Sequence, residues 1–468
     1  MHATSTLVIP EPVKVRLTSY LRQRASGGRE AFAILLCGLH SAGGRTRLLA
    51  RHLILPEEDC FTHRSAGGLA LDPAFDAILM LAEEESLWVV HFHTHPWDQP
   101  PEFSTTDTVQ ERARAVALHR AMGVGLGSVV FNQSVTRHSA RLWRADRCQP
   151  LEMSSALSLD QTPAYDSTPK KDAQFDRQVR AFGIELQARL QRLRVGIVGL
   201  GGLGGEISVK LAHLGVRQFV LVDPDRVQRS NLNRLPGATL DDVRLKMPKT
   251  EVARRQIVGL HGQHARVTCI DHASDSAQAR RALPGCDVLI AATDNHTSRL
   301  QVQDMGSRYL RQVIHAGVGL QGKAGQIHRI MGRVSAPPLG GSWCLACGGM
   351  VDLTEAARET AGEAERARHA QRGYLPGTPD PAVVWVNAQI AAQAVEVLHD
   401  LVLPFRPHAR RGQGKDLVVD LLERQTFEVD HGTLDDAQSG CAVCGLGAIG
   451  LGDCSVVRRV GVAVLPVL

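Results

Sequence analysis

Apolar positions in the middle of the chain fall into short runs that are separated by segments of mixed polarity. The runs Val195–Val198 and Gln218–Val222 have the length and composition of buried strands. The segment between them predicts a helix from about Gly205 to His213, ended by Leu214 and Gly215. Three further apolar runs follow, at residues 267–270, 287–292 and 312–317. This alternation of strand and helix predicts an α/β fold with a doubly wound sheet.

The link from the first strand to its helix is rich in glycine and fits the pattern GxGxxG. Its glycines are Gly199, Gly201, Gly202 and Gly204. Without Cβ atoms, the backbone N–H groups of such a turn can approach a phosphate closely, and the positive end of the following helix favours the anion. Asp223, directly after the second strand, stands where an acidic residue holds ribose hydroxyls. The stretch predicts a nucleotide site, although GxGxxG alone also fits NAD enzymes, FAD enzymes and turns without a ligand.

Four short motifs follow the second strand of this stretch. They are DPDRV (223–227), SNLNR (230–234), MPKTE (247–251) and ATDN (292–295). A dehydrogenase has no reason to carry two cations, Arg234 and Lys249, just beyond its ribose acid, whereas an enzyme that polarises a triphosphate does. In this order the motifs resemble the ThiF/MoeB/HesA family, which includes the ubiquitin-activating enzymes. The resemblance implies a Rossmann-like domain that uses ATP to adenylate the C-terminal glycine of a ubiquitin-like protein.

The resemblance also implies a set of site residues. Besides the glycines, the nucleotide site comprises Asp223, Asp225, Ser230, Asn231, Arg234, Lys249 and Asp294. Asp294 follows a strand at the carboxyl edge of the sheet, where an acid among phosphates indicates a magnesium contact. Arg177 lies in a segment that resembles the family's opening helix, whose arginine reaches the ATP of the other subunit, so a homodimer is expected. Catalysis would depend on Arg177, Arg234, Lys249 and Asp294.

Two CxxC pairs lie about a hundred residues apart in the second half of the chain. The thiols are Cys344, Cys347, Cys441 and Cys444. Four thiolates in two such pairs are typical of a structural tetrahedral zinc site, and one pair alone would also fit redox chemistry.

The first block of the chain has a different chemistry. An apolar strand is predicted at residues 31–38, with Glu30 at its start, and another at residues 87–96. Because side chains alternate along a strand, His91, His93 and His95 lie on one face. With Asp107, two of these imidazoles would leave an open position for water on a catalytic zinc ion.

This pattern resembles the JAB/MPN (JAMM) metallopeptidases, which include deubiquitinating enzymes. The motif of that family is a glutamate, then HxHP, then SxxD. The resemblance implies that His93, His95 and Asp107 ligate zinc, that Glu30 is the general base, and that Ser104 helps to hold the oxyanion. His91 matches no ligand of the family and is expected to be structural. The loop at residues 96–103 is one residue longer than in the commonest form of the motif.

These predictions divide the chain into a JAB/MPN-like peptidase at residues 1–150, a linker at 151–171 and a ThiF-like adenylating domain at 172–468. The linker is rich in Ser, Thr, Pro and Asp and has no apolar period. A net charge of +5 on 468 residues is too small to indicate nucleic acid, and no apolar stretch has the length of a membrane span. We therefore expect a cytoplasmic enzyme.

The combination indicates that the peptidase processes or removes the modifier that the second domain activates, as in bacterial ubiquitin-like conjugation operons, where antiphage defence recurs. A conjugating enzyme or acceptor protein would be a further partner. The residues 374–385, where several relatives carry a nucleophilic cysteine, contain none. Either the reaction stops at the acyl adenylate, or another cysteine such as Cys454 is used. One alternative is a ThiF-type sulfur-carrier activator or tRNA-modifying dehydratase with a vestigial peptidase domain. The other is a non-catalytic scaffold, which a failure to bind ATP would indicate.

Overall fold

The computed structural model describes residues 5–42, 44–57, 60–65, 68–71, 76–154, 172–323, 326–341, 343–360, 382–406, 414–431, 441, 443–444 and 449–454. The chain forms two compact units. One comprises Met1–Ala156 with Ile449–Leu468, and the other comprises Leu157–Ala448. None of the helices in the described ranges is long and apolar enough to cross a membrane.

The first unit is built on a closed barrel. Its strands are β1 (Ser5–Val8), β2 (Phe32–Ala42), β3 (Arg45–Ile54), β4 (Phe61–Ser65), β5 (Gly68–Leu71), β6 (Trp88–Thr94), β7 (Leu126–Phe131), β8 (His138–Arg144) and β9 (Arg147–Ser154). Its helices are α1 (Glu11–Arg24), α2 (Asp76–Glu84) and α3 (Thr105–Met122). The barrel order is β1-β3-β2-β6-β7-β8-β9, and β4 and β5 form a separate pair. Parallel pairing of β1 with both β3 and β9 closes the barrel.

Strand β6 is one of the barrel strands and pairs with β2 on one side and β7 on the other. Each of its seven residues is buried, and aromatic and β-branched side chains dominate its sequence, WVVHFHT. The strand is antiparallel to β2, with His93 opposite Phe32, and parallel to β7. The predicted histidine strand is therefore held by backbone hydrogen bonds on both sides.

The first unit differs from the predicted domain at residues 1–150 in two places. Residues Leu151–Ser154 continue β9 and pair with β1, so the barrel extends four residues into the predicted linker. The remainder of that linker, residues 155–171, lies outside the described residues. The segment Ile449–Cys454, which the sequence predicts to belong to the adenylating domain, packs in the first unit. There Gly452 forms a parallel bridge with Leu39, and the Asp453 N–H donates to the Leu39 carbonyl at 2.6 Å.

The second unit is a layered α/β structure. Its strands are β10 (Arg194–Val198), β11 (Gln218–Val222), β12 (Arg266–Ile270), β13 (Val288–Ala291), β14 (Gln312–Lys323), β15 (Gln326–Ala336), β16 (Lys415–Asp420) and β17 (Gln425–Glu428). Its helices are α4 (Asp176–Phe182), α5 (Ile184–Arg192), α6 (Gly202–Leu214), α7 (Leu240–Arg244), α8 (Lys249–His261), α9 (Ala277–Ala282), α10 (His296–Tyr309), α11 (Leu353–Thr360) and α12 (Val384–Val402).

These strands form one sheet in the order β12-β11-β10-β13-β14-β15-β16-β17. The first five are parallel, and the order around β10 is that of a doubly wound fold, as predicted. The last three strands extend the sheet in antiparallel fashion, which the sequence pattern did not predict. Along β10, Ile197 packs with α6 and α12 on one face, and Val198 packs with α10 on the other.

Candidate functional site

The glycine turn lies between β10 and α6, at the carboxyl edge of the parallel strands. Gly199 has a φ of 90°, and a Cβ atom there would lie 2.6 Å from the carbonyl oxygen of Ala292. A Cβ atom on Gly204 would lie 1.8 Å from the carbonyl oxygen of Gly199. Helix α6 begins at Gly202, three residues earlier than predicted, and Gly201 is its N-cap. At Gly201 a Cβ atom would have no described neighbour within 4 Å, so the helix end is open to a ligand.

Asp223 connects the end of β11 to this turn. Its side chain is buried, with one oxygen accepting from the Leu200 N–H at 2.6 Å and the other from the Asp225 N–H at 2.8 Å. Burial raises the pKa of the carboxyl group, and the positive charge of Lys249 opposes that rise. The predicted ribose ligand therefore also fixes the backbone of the glycine turn.

The two predicted phosphate-binding cations lie close to this arrangement. Lys249, the first residue of α8, donates a 2.7 Å hydrogen bond to Asp225. Arg234 donates to the Ser230 carbonyl at 2.6 Å. The Cγ of Arg234 is 3.2 Å from the position of a Cβ on Gly202, so this arginine borders the start of α6. Both cations can exchange these partners for phosphate oxygens.

The remaining predicted nucleotide-site residues differ in how they are used. Asp294 is exposed and follows β13 at the carboxyl edge of the sheet. The side-chain oxygen of Asn231 accepts from the Gln228 N–H at 2.9 Å and thereby caps a short 3-10 turn, and Ser230 is exposed. Arg177 is exposed on α4, and no hydrogen bond or ion pair within the described ranges connects it to the glycine turn.

Two residues that contact the glycine turn were not predicted from the sequence. The Nδ2 of Asn387, buried on α12, lies 2.3 Å from the position of a Cβ on Gly202. The buried Oγ1 of Thr293 has no hydrogen-bond partner among the described residues, and its Cγ2 is 3.0 Å from a Cβ position on Gly199. Thr293 stands in the recognised ATDN motif, whereas no local signal marks Asn387.

The four CxxC cysteines converge. The Sγ–Sγ distances are 3.6 Å between Cys344 and Cys347, 3.9 Å between Cys344 and Cys441, and 3.8 Å between Cys347 and Cys444. Hydrogen bonding with Cys344 and Cys444 lowers the pKa of the Cys347 thiol, which favours a thiolate. A zinc ion about 2.3 Å from each sulfur of a tetrahedron requires sulfurs about 3.8 Å apart, so the donor set fits zinc.

A second cluster forms where β6 meets the start of α3. Asp107 approaches both imidazoles, with Oδ1 3.6 Å from His93 Nε2 and Oδ2 3.5 Å from His95 Nε2. One ligand atom from each of the three residues lies within 4.8 Å of the others. The buried His93 Nε2 has no hydrogen-bond partner among the described residues. Two nitrogens and a carboxylate oxygen facing one another in this way fit a zinc ion with an open fourth position.

Glu30 and Ser104 border this cluster. Glu30 immediately precedes Ala31, which exchanges hydrogen bonds with Thr94 on β6. Burial raises the pKa of Glu30, the charges of His93 and His95 lower it, and the charge of Asp107 raises it. The Glu30 carboxyl group is therefore close enough to all three proposed ligands to interact with them electrostatically. Ser104 caps α3, accepting from the Asp107 N–H at 3.1 Å and donating its own N–H to Asp107 at 2.7 Å.

His91 belongs to a buried polar network behind the cluster. Glu111 lies at its centre, one helical turn after Asp107, and sequence reasoning did not identify it. Its carboxylate accepts hydrogen bonds from Ser128 at 2.6 Å, Arg141 at 2.7 Å and Trp143 at 2.9 Å. Burial alone would raise the pKa of Glu111, but hydrogen bonds from His91, Arg141 and Ser128 hold it at about 2.

Cys454, the cysteine considered for a thioester, lies in the first unit. Its Sγ accepts from the Leu39 N–H at 3.4 Å and donates to the Ser86 carbonyl at 3.3 Å. Residues 374–381, most of the stretch in which the resemblance led us to look for a nucleophilic cysteine, lie outside the described residues.

The family model described as "ThiF family" matches residues 175–417. The SAMP-activating enzyme E1 of Haloferax volcanii is 30% identical over 268 residues, which are 57% of this chain and 86% of that protein. The adenylyltransferase and sulfurtransferase MOCS3 of Drosophila virilis is 34% identical over 178 residues, 36% of this chain. The chain spans only 38% of the length of that relative.

Among solved structures, E. coli MccB with succinimide is 19% identical, with a TM-score of 0.46 and coverage of 59% of this chain and 75% of that chain. The ThiF match spans just over half of the sequence and includes the glycine turn, Arg234, Lys249 and Asp294. It begins after the first unit's barrel strands. The chain belongs to the ThiF family.

Proposed function

We propose that this protein is an ATP-dependent adenylyltransferase that activates the C-terminal carboxylate of a ubiquitin-like or sulfur-carrier protein. The observation that carries the proposal is the glycine turn bordered by Arg234 and Lys249 in a chain of the ThiF family. The names of the two curated relatives, a SAMP-activating enzyme and an adenylyltransferase, support the same reaction class.

In this reaction a carboxylate oxygen of the substrate attacks the α-phosphorus of ATP. The bond to the bridging oxygen breaks, pyrophosphate leaves, and an acyl adenylate forms. The substrate carboxylate needs no deprotonation, so the protein contributes positioning and charge stabilisation. Arg234 and Lys249 would stabilise the phosphate charges after leaving the Ser230 carbonyl and Asp225. Asp294 would hold Mg²⁺, which neutralises charge on the phosphates and on pyrophosphate.

We further propose that the first unit is a zinc-dependent peptidase of the JAB/MPN type that processes or removes the same modifier. Support comes from the convergence of His93, His95 and Asp107, with Glu30 beside them. Zinc at this site would lower the pKa of a bound water toward neutrality. Glu30 would accept its proton, and burial raises the pKa of its carboxyl group. The Ser104 hydroxyl, exposed at the start of α3, would donate to the oxyanion.

Two partners belong to the proposal. Arg177, exposed on α4, would reach the ATP of a second subunit in a homodimer. A conjugating enzyme or acceptor protein would receive the activated carboxylate. Sulfur-carrier activation is the second candidate, favoured by the word "sulfurtransferase" in the name of the Drosophila relative.

Pyrophosphate exchange tests the adenylation proposal. Purified protein, ATP, Mg²⁺ and labelled pyrophosphate are incubated with candidate ubiquitin-like and sulfur-carrier proteins ending in glycine. Label should enter ATP only when a suitable carrier is present, because exchange requires a reversible acyl adenylate. A carrier truncated by its terminal glycine is the control. Binding of NAD without any exchange would contradict the proposal.

The peptidase proposal is tested with a carrier extended beyond its terminal glycine. Zinc-loaded protein should release the extension, and mass spectrometry should find the cut directly after the glycine. Failure to cut either this fusion or a carrier joined to a target lysine would contradict it.

A further inference from the structure

Helix α3 carries Asp107 on its first turn and is exposed along much of its length. Its buried side chains are Glu111, Ala115 and Leu118. The first of these is a carboxylate, placed four residues after Asp107 and therefore on the same side of the helix. A carboxylate that is 3% exposed must find partners for its charge.

The partners of Glu111 come from three consecutive strands of the barrel. One oxygen, Oε1, accepts from Ser128 on β7 and lies 3.3 Å from His91 Nε2 on β6. The other, Oε2, accepts from Arg141 and Trp143 on β8. The Glu111 side chain thus links the N-terminal half of α3 to β6, β7 and β8.

Proton positions in the network follow from its chemistry. The carboxylate has no proton to give, so the Ser128 hydroxyl donates to Glu111. The same hydroxyl lies 2.7 Å from His91 Nε2 and must accept from an N–H there. His91 Nε2 therefore carries a proton. The donors around Glu111 leave neither of its oxygens without a partner.

This network is adjacent to the proposed zinc ligands. The His91 and His93 rings are 5.8 Å apart between centroids on one face of β6, and His95 follows directly after the end of that strand. Asp107 is the only one of the three proposed ligands on α3. A zinc site tolerates ligand displacements of only about 0.5 Å, so the distance between α3 and β6 decides whether all three ligands reach one ion.

We infer that Glu111 is a positioning residue for the metal site, holding Asp107 on α3 at the distance from His93 and His95 that a single zinc ion requires. The inference rests on the proposed function of the first unit. Glu111 acts through the helix and touches neither metal nor substrate. The capping box of Ser104 orients the Asp107 side chain locally, whereas Glu111 sets the position of the helix that carries it.

Glu111→Gln is the sharpest substitution because it preserves shape. A glutamine has one acceptor oxygen. With its NH₂ group toward β8, Arg141 and Trp143 lose their acceptor, and with its NH₂ group toward β7, the Ser128 hydroxyl must accept instead of donate, which disturbs its contact with His91. The matched control is Glu152→Gln, the same change at an exposed carboxylate on β9. Ser128→Ala is a milder variant that removes one donor and keeps the carboxylate.

The experiment measures zinc retention by the full-length chain during titration with a graded series of chelators. The zinc equivalent missing from His93→Ala identifies the site. Glu111→Gln should hold this equivalent about 10- to 100-fold more weakly than wild type, Ser128→Ala should be intermediate, and Glu152→Gln should be unchanged. Visible absorption of Co²⁺ in the site should change in Glu111→Gln, because a displaced ligand alters the coordination geometry.

The possible results test the positioning role of Glu111 and the proposed zinc site separately. If wild type and His93→Ala hold the same amount of zinc, the proposed peptidase site fails. If wild type holds this zinc and Glu111→Gln holds it equally well with the same Co²⁺ spectrum, the positioning role is refuted and the site stands. Should Glu111→Gln fail to fold, an unchanged affinity and spectrum in Ser128→Ala would refute the role.

Discussion

The Leu200 N–H donates a 2.6 Å hydrogen bond to the carboxylate of Asp223, which links the turn after β10 to the end of β11. The acid that the sequence assigns to ribose thus also shapes the glycine turn. The proposed ribose contact and the geometry of the turn therefore depend on the same buried side chain.

Substitution of Asp223 should affect both properties. Asp223→Ala leaves two backbone N–H groups without their acceptors and should lower the free energy of unfolding by about 1–3 kcal/mol. ATP affinity should fall at least about tenfold. Asp223→Asn keeps one acceptor oxygen, so it should be more stable than Asp223→Ala. Its ATP affinity should remain low, because a neutral amide does not replace the charged acceptor for ribose. Denaturant unfolding and ATP titration measure the two effects, with exposed Asp241→Ala as control. Unchanged ATP affinity in Asp223→Ala would exclude the ribose role.

Arg234→Ala should reduce carrier-dependent pyrophosphate exchange by about 10²–10³-fold, since a charge-assisted contact to the reacting phosphates is lost. Arg229→Ala, an exposed arginine of the same loop, is the matched control and should exchange normally. Equal exchange rates in the two variants would show that Arg234 does not contribute to adenylation.

Metal analysis should find two zinc ions per chain. Cys344→Ser should lose one together with thermal stability, because a four-thiolate site contributes to folding directly. His93→Ala should lose the other while the second unit keeps its melting transition. One zinc ion per wild-type chain would contradict one of the two sites.

Glu30→Gln should retain zinc and lose cleavage of an extended carrier. The metal needs His93, His95 and Asp107, whereas proton transfer from the bound water needs a carboxylate. Pyrophosphate exchange by the same variant should equal that of wild type. A variant that cuts as fast as wild type would show that Glu30 is not the base.

The first unit should lose stability in acid through Glu85. Burial raises the pKa of this carboxyl group, but hydrogen bonds from Arg51 and His52 outweigh burial and lower it to about 2. The folded-state pKa lies below the unfolded value of about 4.3, so the stabilisation is complete at pH 7 and is lost as the pH falls toward 2. Glu85→Gln should therefore cost roughly 2 kcal/mol or more at pH 7 and clearly less at pH 3. Thermal unfolding at both pH values measures this, and a pH-independent difference would contradict it.

Local pattern was sufficient for several features because they depend on neighbouring residues. The strands around the glycine turn and the end of α6 at Gly215 follow from apolar period, glycine conformation and helix signals. The spacing of HxHP with SxxD and of the two CxxC pairs predicted which side chains meet, and the structure brings both groups together. Such motifs are informative because the chemistry of a ligand set restricts both residue type and spacing.

Other features were decided only by contacts between distant parts of the chain. Glu111 looks like one more charge on a polar helix, and only the approach of Ser128, Arg141 and Trp143 makes it a buried centre. The antiparallel strands β15–β17 and the contact of Asn387 with Gly202 also have no local signal. The segment Ile449–Cys454 pairs with β2 because residues 38–42 of that strand extend beyond their partner β6 and leave an open edge. An unpaired edge offers hydrogen bonds to whichever segment can reach it, and only the folded chain determines which segment that is.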